Sequence, residues 1–363
     1  MSIENIPTSE PCLQGNVGVG PSSPRGNEEK PILTIIIPTY NMEKYLRHCL
    51  DSLIVPNMDK VEVLVINDGS KDSSSAIGHE YQDKYPQTFR VIDKENGNYG
   101  SCVNRGLKEA TGKYIKVLDA DDWFNKEAFG KYVNELERHD EDLIITNFSS
   151  VRDGSVSLVR YNIPQKETLN MDVIKHYPSF IHIQMHAVTY KTINLRSIGY
   201  RQTEGISYTD QEWMFLPMTT VKTFYYYPEN IYQYLLGREG QTEEIDQKLK
   251  HLSQIVYIQK EQLEVYTKLK KAGNDNFYLR ERLKDRFKSV YEPAFIFSNN
   301  VPDLIDFDKY LKSNYLELYT YTDDNLTLKY VHYHYVRKWR KNYKISKFNI
   351  FRLLFSLKNS LSK

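Results

Sequence analysis

Residues 114–122 read Tyr-Ile-Lys-Val-Leu-Asp-Ala-Asp-Asp, a mostly apolar run that leads directly into three carboxylates. A short apolar run bounded by polar residues predicts a buried β-strand over residues 114–118. Neighbouring acidic side chains repel one another, and a hard divalent cation relieves that repulsion. The stretch therefore predicts a Mg²⁺ or Mn²⁺ site at the end of a strand. The alternative is that Asp121 or Asp122 caps the next helix.

Short apolar runs and helical patterns alternate on both sides of this stretch. Further strands are predicted over residues 33–37, 61–66, 89–92 and 143–146. Helices are predicted over residues 43–53, 73–85, 99–110 and 126–138. This alternation predicts an α/β fold with a mostly parallel central sheet and helices on both faces. Because such sheets bind ligands at the carboxyl ends of their strands, the residues after each run are the candidate site.

The chain divides into four predicted segments. Residues 1–30 are rich in Gly, Pro, Ser and Asn and are expected to be disordered. Residues 31–242 form the α/β domain, and residues 243–336 form a helical region because apolar residues recur there at helical spacing. Residues 337–363 combine many Lys and Arg with large apolar residues and carry no Asp or Glu. This tail is expected to lie on an anionic membrane surface; the alternative is a helix docked on the protein.

Composition narrows the function. The formal net charge of +1 gives no global attraction to nucleic acid, so no nucleic-acid partner is expected. The three cysteines are odd in number, far apart in sequence and without CxxC spacing. They therefore indicate neither a disulfide framework nor a zinc site, which favours a cytoplasmic location. No apolar stretch is long enough to span a bilayer, and the N-terminus lacks a signal core. His182 and His186 lack the glutamate of a zinc-protease motif and are interpreted as packing or acceptor contacts.

Polar residues follow the first three predicted strands. In residues 38–41, Pro38 is expected to end the pairing of the first strand. In residues 67–70, Asp68 is placed to accept a hydrogen bond from a base. Residues 94–100 form a glycine-bearing loop that enters a helix, and a helix N-terminus attracts anions. Each segment alone is explained equally well by a turn or a helix cap.

Taken in order, these segments resemble glycosyltransferase family 2. The motifs are Ile-Pro-Thr-Tyr-Asn, Asn-Asp-Gly-Ser, Asn-Gly-Asn-Tyr-Gly-Ser-Cys-Val-Asn-Arg-Gly and Leu-Asp-Ala-Asp-Asp. The resemblance covers residues 33–150 and is weaker as far as residue 242. It implies the Rossmann-like GT-A fold and inverting transfer from a UDP-sugar, with Mn²⁺ or Mg²⁺, to an acceptor hydroxyl. Processive members carry a Gln-X-X-Arg-Trp motif and membrane spans, which this sequence lacks.

The resemblance is therefore to non-processive bacterial enzymes that build polysaccharides or glycolipids. It implies a lipid-linked or cell-surface polysaccharide precursor as acceptor, and a location at the inner face of the cell membrane. Asp121 would bind the metal with Asp122 supporting it, and Asp68 would bind the uracil. The nucleotide-binding residues implied in this way are Pro38, Thr39, Tyr40, Glu43, Asp68, Lys94, Asn96, Gly97, Asp119, Ala120 and Arg238.

Family members also carry a catalytic carboxylate at a helix start in the second half of the domain. The matching segment here is residues 205–213, and Asp210 is the candidate base, with Glu212 as a substitute. Thr209 stands where the family usually has Glu. The alternative is that Asp210 only caps a helix over residues 211–216.

Arg238, in a later loop, is expected to pair with phosphate, or else to be a solvated surface residue.

Two other functions stay open at this point. A nucleotidyltransferase of related sheet topology also uses aspartate and a metal, but it would release pyrophosphate. Its usual Gly-rich loop with Lys or Arg after the first strand is missing from this sequence. A non-catalytic module that kept the nucleotide pocket would bind UDP without transferring or hydrolysing a sugar.

Overall fold

The computed structural model of the chain describes residues 30–238, 241, 245–297, 301–328, 333–345, 350 and 353–354. The predicted disorder before residue 30 and most of the predicted tail after residue 345 lie outside these residues. Among the described helices, none combines the length and the apolar character that a bilayer crossing requires.

A ten-stranded sheet forms the centre of the first part of the chain. Its strands are β1 (Leu33–Thr39), β2 (Val61–Asn67), β3 (Phe89–Asp93), β4 (Tyr114–Val117), β5 (Trp123–Phe124), β6 (Leu143–Arg152), β7 (Ser155–Val159), β8 (Thr168–Asn170), β9 (Val188–Lys191) and β10 (Thr223–Leu235). The strand order is β3-β2-β1-β4-β9-β6-β10-β5, with β7 beside β6 and β8 beside β10.

The first four strands are parallel to one another, and β6 and β10 are parallel to each other. Strand β9 lies antiparallel between β4 and β6, so that the sheet is mixed in its second half. Every residue of β2 is buried, which is why this strand reads as a nearly continuous apolar run. The carboxyl ends of β1, β2, β3 and β4 meet at one edge of the sheet, as the sequence predicts.

Helices cover the sheet and then continue as a separate helical region. The helices of the first part are α1 (Leu46–Asp51), α2 (Ser74–Lys84), α3 (Asn98–Glu109), α4 (Lys126–Leu136), α5 (Thr192–Ser197) and α6 (Asp210–Trp213). The helical region contains α7 (Ile245–Lys250), α8 (Leu252–Lys271), α9 (Phe277–Phe297), α10 (Pro302–Asn314), α11 (Leu316–Asn325) and α12 (Tyr335–Trp339), with a two-stranded ribbon of β11 (Thr327–Leu328) and β12 (Tyr333–His334).

The expectation that Pro38 ends strand pairing is wrong. Strand β1 continues through Pro38, which pairs with Ile66 of β2, and ends one residue later. On its other side, β1 pairs with β4 only as far as Ile36. Pro38 therefore lies beyond the end of β4, where its missing N–H removes no bond from that ladder.

Helix α1 is shorter than the residues 43–53 predicted for it. The segment before it forms a turn that is also held by side chains, since the Glu43 amide donates to Asp72 Oδ2 at 3.0 Å. The Glu43 carboxylate accepts a bond from the Ser73 amide, also at 3.0 Å. These contacts tie the end of β1 to the start of α2, and helical geometry begins only at Leu46.

The first residues of the predicted basic tail pack on the helical region. Trp339 and Ile345 are buried, and the Arg340 guanidinium lies 2.6 Å from Asp308 Oδ1 of α10. The interpretation of this segment as a membrane-facing tail is therefore wrong for residues 337–345, where the docked alternative holds. These apolar side chains already have a protein partner and are not available to a lipid surface.

Candidate active site

The acidic loop after β4, residues 119–122, is anchored to β10. Asp122 is 1% exposed, and its Oδ1 accepts a bond from the Leu235 amide at 2.7 Å. Its Oδ2 accepts a bond from the Tyr232 hydroxyl at 2.6 Å, and that hydroxyl accepts one from the Asp119 amide at 3.1 Å. Burial, with the charges of Asp121 and Asp119, raises the pKa of Asp122 well above its ordinary value. Asp122 thus fixes the loop in place.

Neither Asp121 nor Asp122 caps α4, the helix that follows the acidic loop. The alternative that one of them is only a helix cap is therefore wrong. The cap is Asn125, whose Oδ1 accepts a bond from the Ala128 amide at 3.0 Å. The carboxylates of the loop are therefore placed by contacts to β10 and to the segment after it.

Asp121, the predicted metal ligand, is paired with Arg238. The Arg238 Nε donates to Asp121 Oδ2 at 2.7 Å, and both side chains are largely buried. A guanidinium therefore neutralises this carboxylate within the protein, whereas the sequence argument predicts a divalent metal ion there. Arg238 lies in the segment that follows β10, so β10 supplies the contacts to Asp122 and the segment after it supplies the contact to Asp121.

Asp119 lines a cleft between the sheet and the helical region. Its Oδ1 accepts a bond from the Tyr99 hydroxyl of α3 at 2.8 Å. Burial, followed by the charge of Asp121, raises the pKa of Asp119 to about 7. A carboxyl group that resists ionisation in isolation is well suited to a partner that brings positive charge.

His186 is a candidate ligand that the sequence reasoning assigned to packing or to the acceptor. Asp119, Asp122 and His186 each offer a ligand atom, and these atoms lie within 4.8 Å of one another. His186 Nδ1 is buried and has no hydrogen-bond partner in the described residues. Burial lowers the pKa of His186 to about 3, so the imidazole is neutral and can coordinate.

The neutral imidazole of His186 beside the carboxylates of Asp119 and Asp122 fits a divalent cation. Asp121, the predicted ligand, is the neighbour of Asp122 in the chain. No sequence spacing signals this, because His186 comes from the turn before β9, far from the acidic loop in sequence.

Four of the predicted nucleotide-binding residues come together at the end of β2. Asp68 is buried, and its Oδ1 accepts bonds from Lys94 Nζ at 2.5 Å and from the Gly97 amide at 3.0 Å. The Asn96 side chain donates to the Asp68 carbonyl at 2.9 Å. This network fixes the loop after β3 against the end of β2 and leaves a rigid polar edge.

The residues at the end of β1 have different exposures. Tyr40 is 45% exposed and free to lie against a flat ring, whereas the Thr39 side chain is buried and donates to the Ile37 carbonyl at 3.1 Å. Ala120 is also buried. Glu43 is engaged in the loop contacts described above.

A cleft of about 650 Å³ joins the sheet to the helical region. Both Asp119 and the predicted base, Asp210, line it, together with Tyr99, His186 and Tyr234. Asp210 is the first residue of α6, and Thr209 holds the N-cap position. The helix ends at Trp213, so the predicted helix over residues 211–216 is too long.

Glu212, the substitute base, has a structural role. Its two carboxylate oxygens accept bonds from the Thr203 amide at 2.7 Å and from the Thr203 hydroxyl at 2.6 Å. Asp210 instead faces the cleft and accepts a bond from the Gln211 amide side chain at 2.8 Å. The geometry favours Asp210 over Glu212 for contact with a ligand.

Comparison with protein families gives a match to the model described as glycosyl transferase family 2, over residues 34–194. The chain is 36% identical to the putative glycosyltransferase EpsH of Bacillus subtilis over 125 residues, which are 34% of this chain and 35% of that protein. It is 33% identical to the uncharacterized glycosyltransferase MG025 of Mycoplasma genitalium over 177 residues, 45% of this chain and 58% of that protein. The matched region thus spans about a third of the length of the first curated relatives.

Among solved structures, the chain is similar to Staphylococcus aureus TarS 1–349 in complex with UDP-GlcNAc. The TM-score is 0.56 at 20% identity, and the match covers 88% of this chain and 94% of that one. This likeness extends over the sheet and the helices after it, so it confirms the GT-A fold with a helical C-terminal region.

Proposed function

We propose that this chain, which matches the glycosyl transferase family 2 model over residues 34–194, belongs to that family and transfers a sugar from a UDP-sugar to an acceptor hydroxyl with inversion. The observation that carries the proposal is the single cleft lined by Asp119, at the acidic loop, and by Asp210, on a separate helix. Transfer needs negative groups for a metal-bound donor and a second carboxylate for the acceptor proton.

The donor would lie along the carboxyl edge of the sheet. The Asp68 carboxylate, held by Lys94 and Gly97, would accept a bond from the uracil, with Tyr40 against the ring. A UDP-sugar is the donor class we favour, since TarS, which shares this fold, was crystallised with UDP-GlcNAc.

A divalent ion would be held by Asp121 with help from its neighbours. Asp119, Asp122 and His186 provide the group that fits such an ion, because their ligand atoms cluster and His186 Nδ1 is buried without a partner in the described residues. When bound, Mn²⁺ or Mg²⁺ would act as a Lewis acid on the leaving diphosphate. Arg238 would exchange its contact with Asp121 for one with phosphate.

Asp210 would act as the general base. A sugar hydroxyl is a weak nucleophile near neutral pH, so a positioned carboxylate must accept its proton as the new bond forms. Attack on the face of the anomeric carbon opposite the leaving UDP inverts the configuration. The bond from Gln211 orients the Asp210 carboxylate for this contact.

A panel of nucleotide sugars with Mn²⁺, scored by UDP release, tests the activity. In Asp210→Asn we expect turnover to fall about 10²- to 10⁴-fold while UDP binding is unchanged, since a base acts only on the acceptor. In Asp121→Ala we expect metal-dependent UDP binding to weaken as well. Glu212→Gln is the matched control: it should lower the melting temperature and keep most of the turnover, because Glu212 holds Thr203.

Wild-type turnover in Asp210→Asn would contradict the assignment of the base. Release of pyrophosphate instead of UDP would indicate a nucleotidyltransferase, and UDP binding without turnover of any donor would indicate a binding module.

We also propose that a lipid-linked acceptor is met at an anionic membrane, through residues 346–363. This segment retains Lys and Arg with large apolar residues, and two of its leucines, Leu353 and Leu354, are exposed at 60% and 45%. Deletion of residues 346–363 should abolish co-sedimentation with phosphatidylglycerol vesicles. Leu353→Asp with Leu354→Asp should weaken it in the full chain. Equal sedimentation of the deleted and full-length chains would refute this role.

A further inference from the structure

The far wall of the cleft is basic. Arg282 and Arg286 lie four residues apart on α9, with Ser289 three residues further, and all three line the cleft. Lys248 of α7 and Arg152 at the end of β6 line it as well. The cleft thus has an acidic end at the sheet and, in addition, four cationic side chains with one carboxylate, Asp285, beside them. The four cationic residues, Arg152, Lys248, Arg282 and Arg286, are here called the basic wall.

Arg282 is the most informative member of the basic wall. Its side chain is 6% exposed, and Nη1 donates to the Ile181 carbonyl at 2.5 Å. Within the described residues, no carboxylate oxygen lies within salt-bridge distance of this guanidinium. The carboxylate on the same face of α9, Asp285, lies 3.3 Å from His182 Nδ1 instead.

A buried guanidinium without an anionic partner is unfavourable, because its desolvation is not compensated. The Arg282 nitrogens that lack a protein partner are not sealed by protein, since none is among the buried unsatisfied atoms of the described residues. They open onto the cleft. An anion bound there would supply the missing compensation.

We propose that the acceptor is acidic: a sugar or polyol that carries a phosphate or a carboxylate close to the reacting hydroxyl. The guanidinium fork of Arg282 or Arg286 matches two oxygens of either group. The anion on the basic wall would orient the acceptor so that its hydroxyl faces Asp210 across the cleft. The role of this anion as part of an acceptor rests on the proposed sugar transfer. Binding of an anion at the basic wall can be measured without any transfer.

The test is calorimetric titration of the protein, loaded with UDP and Mn²⁺, with glucose, glucuronate and glucose 6-phosphate. At least one of the two acidic sugars should bind roughly tenfold or more tightly than glucose, since a hydrogen bond to a charged group contributes that much. The preferred acid identifies the carboxylate or the phosphate as the recognised group.

Two variants and a control locate the site. Arg286→Gln and Arg282→Gln should each bring the affinity for the acidic sugar close to that for glucose, and Arg286 is the safer variant because it is only half-buried. Lys288→Gln is the matched control: it removes a positive charge from an exposed position on the same helix, outside the cleft lining, and should leave the affinity unchanged.

Equal affinity for glucose and for both acids would overturn the inference. So would an Arg286→Gln variant that loses UDP affinity, because the basic wall would then serve the donor. Hydrolysis of the donor without acceptor reports the proposed function separately. If hydrolysis fails for every donor while acidic sugars still bind through the basic wall, the transferase proposal falls and the anion site stands.

Discussion

Lys116 is a buried ionisable residue that contacts the backbone next to the candidate site. It lies in β4 with no exposed surface, and its Nζ donates to the carbonyls of His186 at 2.7 Å and Val188 at 3.1 Å. Burial lowers the pKa of Lys116 to about 7. The side chain therefore links the strand that leads into the acidic loop with the backbone of His186, so it acts as a positioning residue.

Lys116 makes the stability of the fold depend on pH. The unfolded chain holds the lysine proton up to about pH 10.5, whereas the folded chain releases it near pH 7. The unfolded state thus binds more protons in this window, and the free energy of unfolding should rise as pH increases from 7 to 10. In Lys116→Met that rise should shrink by an amount on the order of a few kcal/mol.

Urea unfolding at several pH values measures this change. Lys113→Met, at a partly exposed lysine nearby in sequence, is the control and should keep the wild-type slope. An unchanged slope in Lys116→Met would show that the buried amine keeps its proton in the folded protein.

At the scale of elements, the start of α3 lies against the segment that leads to Asp210. The Asn104 side chain donates to the Gln202 carbonyl at 2.9 Å, and the Gly205 amide donates to the Gly97 carbonyl at 3.0 Å. A Cβ on Gly100 would lie 2.1 Å from the Thr203 carbonyl oxygen. The close approach of the two segments therefore depends on a glycine at this position.

Gly100→Ala should destabilise the protein even though alanine is the better helix former. The added methyl group meets a backbone oxygen that cannot swing aside, so α3 must move away from the segment before α6. We expect a lower melting temperature and weaker turnover. The control is Gly130→Ala in α4, where the nearest atom is 3.6 Å away and the fold should gain about 0.5–1 kcal/mol. Similar effects of the two substitutions would contradict this packing argument.

The sequence predicts the elements whose signal is local. The first four strands begin at the predicted residues, because buried parallel strands read as apolar runs. Strand β9 has only four residues of mixed polarity, so no periodicity predicts it. Its antiparallel pairing with β4 and β6 is equally absent from the sequence pattern. Strand β10 has 13 residues and passes through two register shifts that depend on its neighbours in the sheet.

The candidate site divides in the same way. The acidic loop and the polar edge around Asp68 follow directly from strands that the sequence predicts. The roles of His186 and Arg282 depend on which segments meet at the cleft. These are tertiary contacts between segments far apart in the chain, so residue spacing does not predict them.

At the scale of the whole molecule, the helical region holds helix α6, which carries Asp210, in place. The Gln262 side chain of α8 donates to the Gln211 carbonyl at 3.1 Å, and the Tyr278 hydroxyl of α9 donates to the Met214 carbonyl at 2.8 Å. Both acceptors belong to α6 or to the residue after it. The helical region, which carries three of the four residues of the basic wall, thus also sets the position of Asp210.

The helical region is itself closed by a buried ion pair. The side chains of Arg340 and Asp308 are 7% and 0% exposed, and Arg340 also reaches Asp323 at 2.8 Å. Arg340→Leu should cost about 3–5 kcal/mol of unfolding free energy, since it leaves a buried carboxylate without its partner. Arg337→Leu, which breaks an exposed pair with Asp324, should change stability by no more than about 1 kcal/mol. Chemical denaturation separates the two, and equal losses would show that the Arg340 pair is not a closing contact.

On the mechanism proposed above, the contact between Arg238 and Asp121 would set the order in which metal and donor bind. Without a ligand, the protein supplies its own counter-charge to that carboxylate, and a free Mn²⁺ ion has to compete with a guanidinium already in place. A nucleotide diphosphate removes this competition, because it offers Arg238 a new anion at the moment the metal arrives. On the proposed mechanism, the protein without donor would therefore bind Mn²⁺ weakly, and donor and metal would bind together.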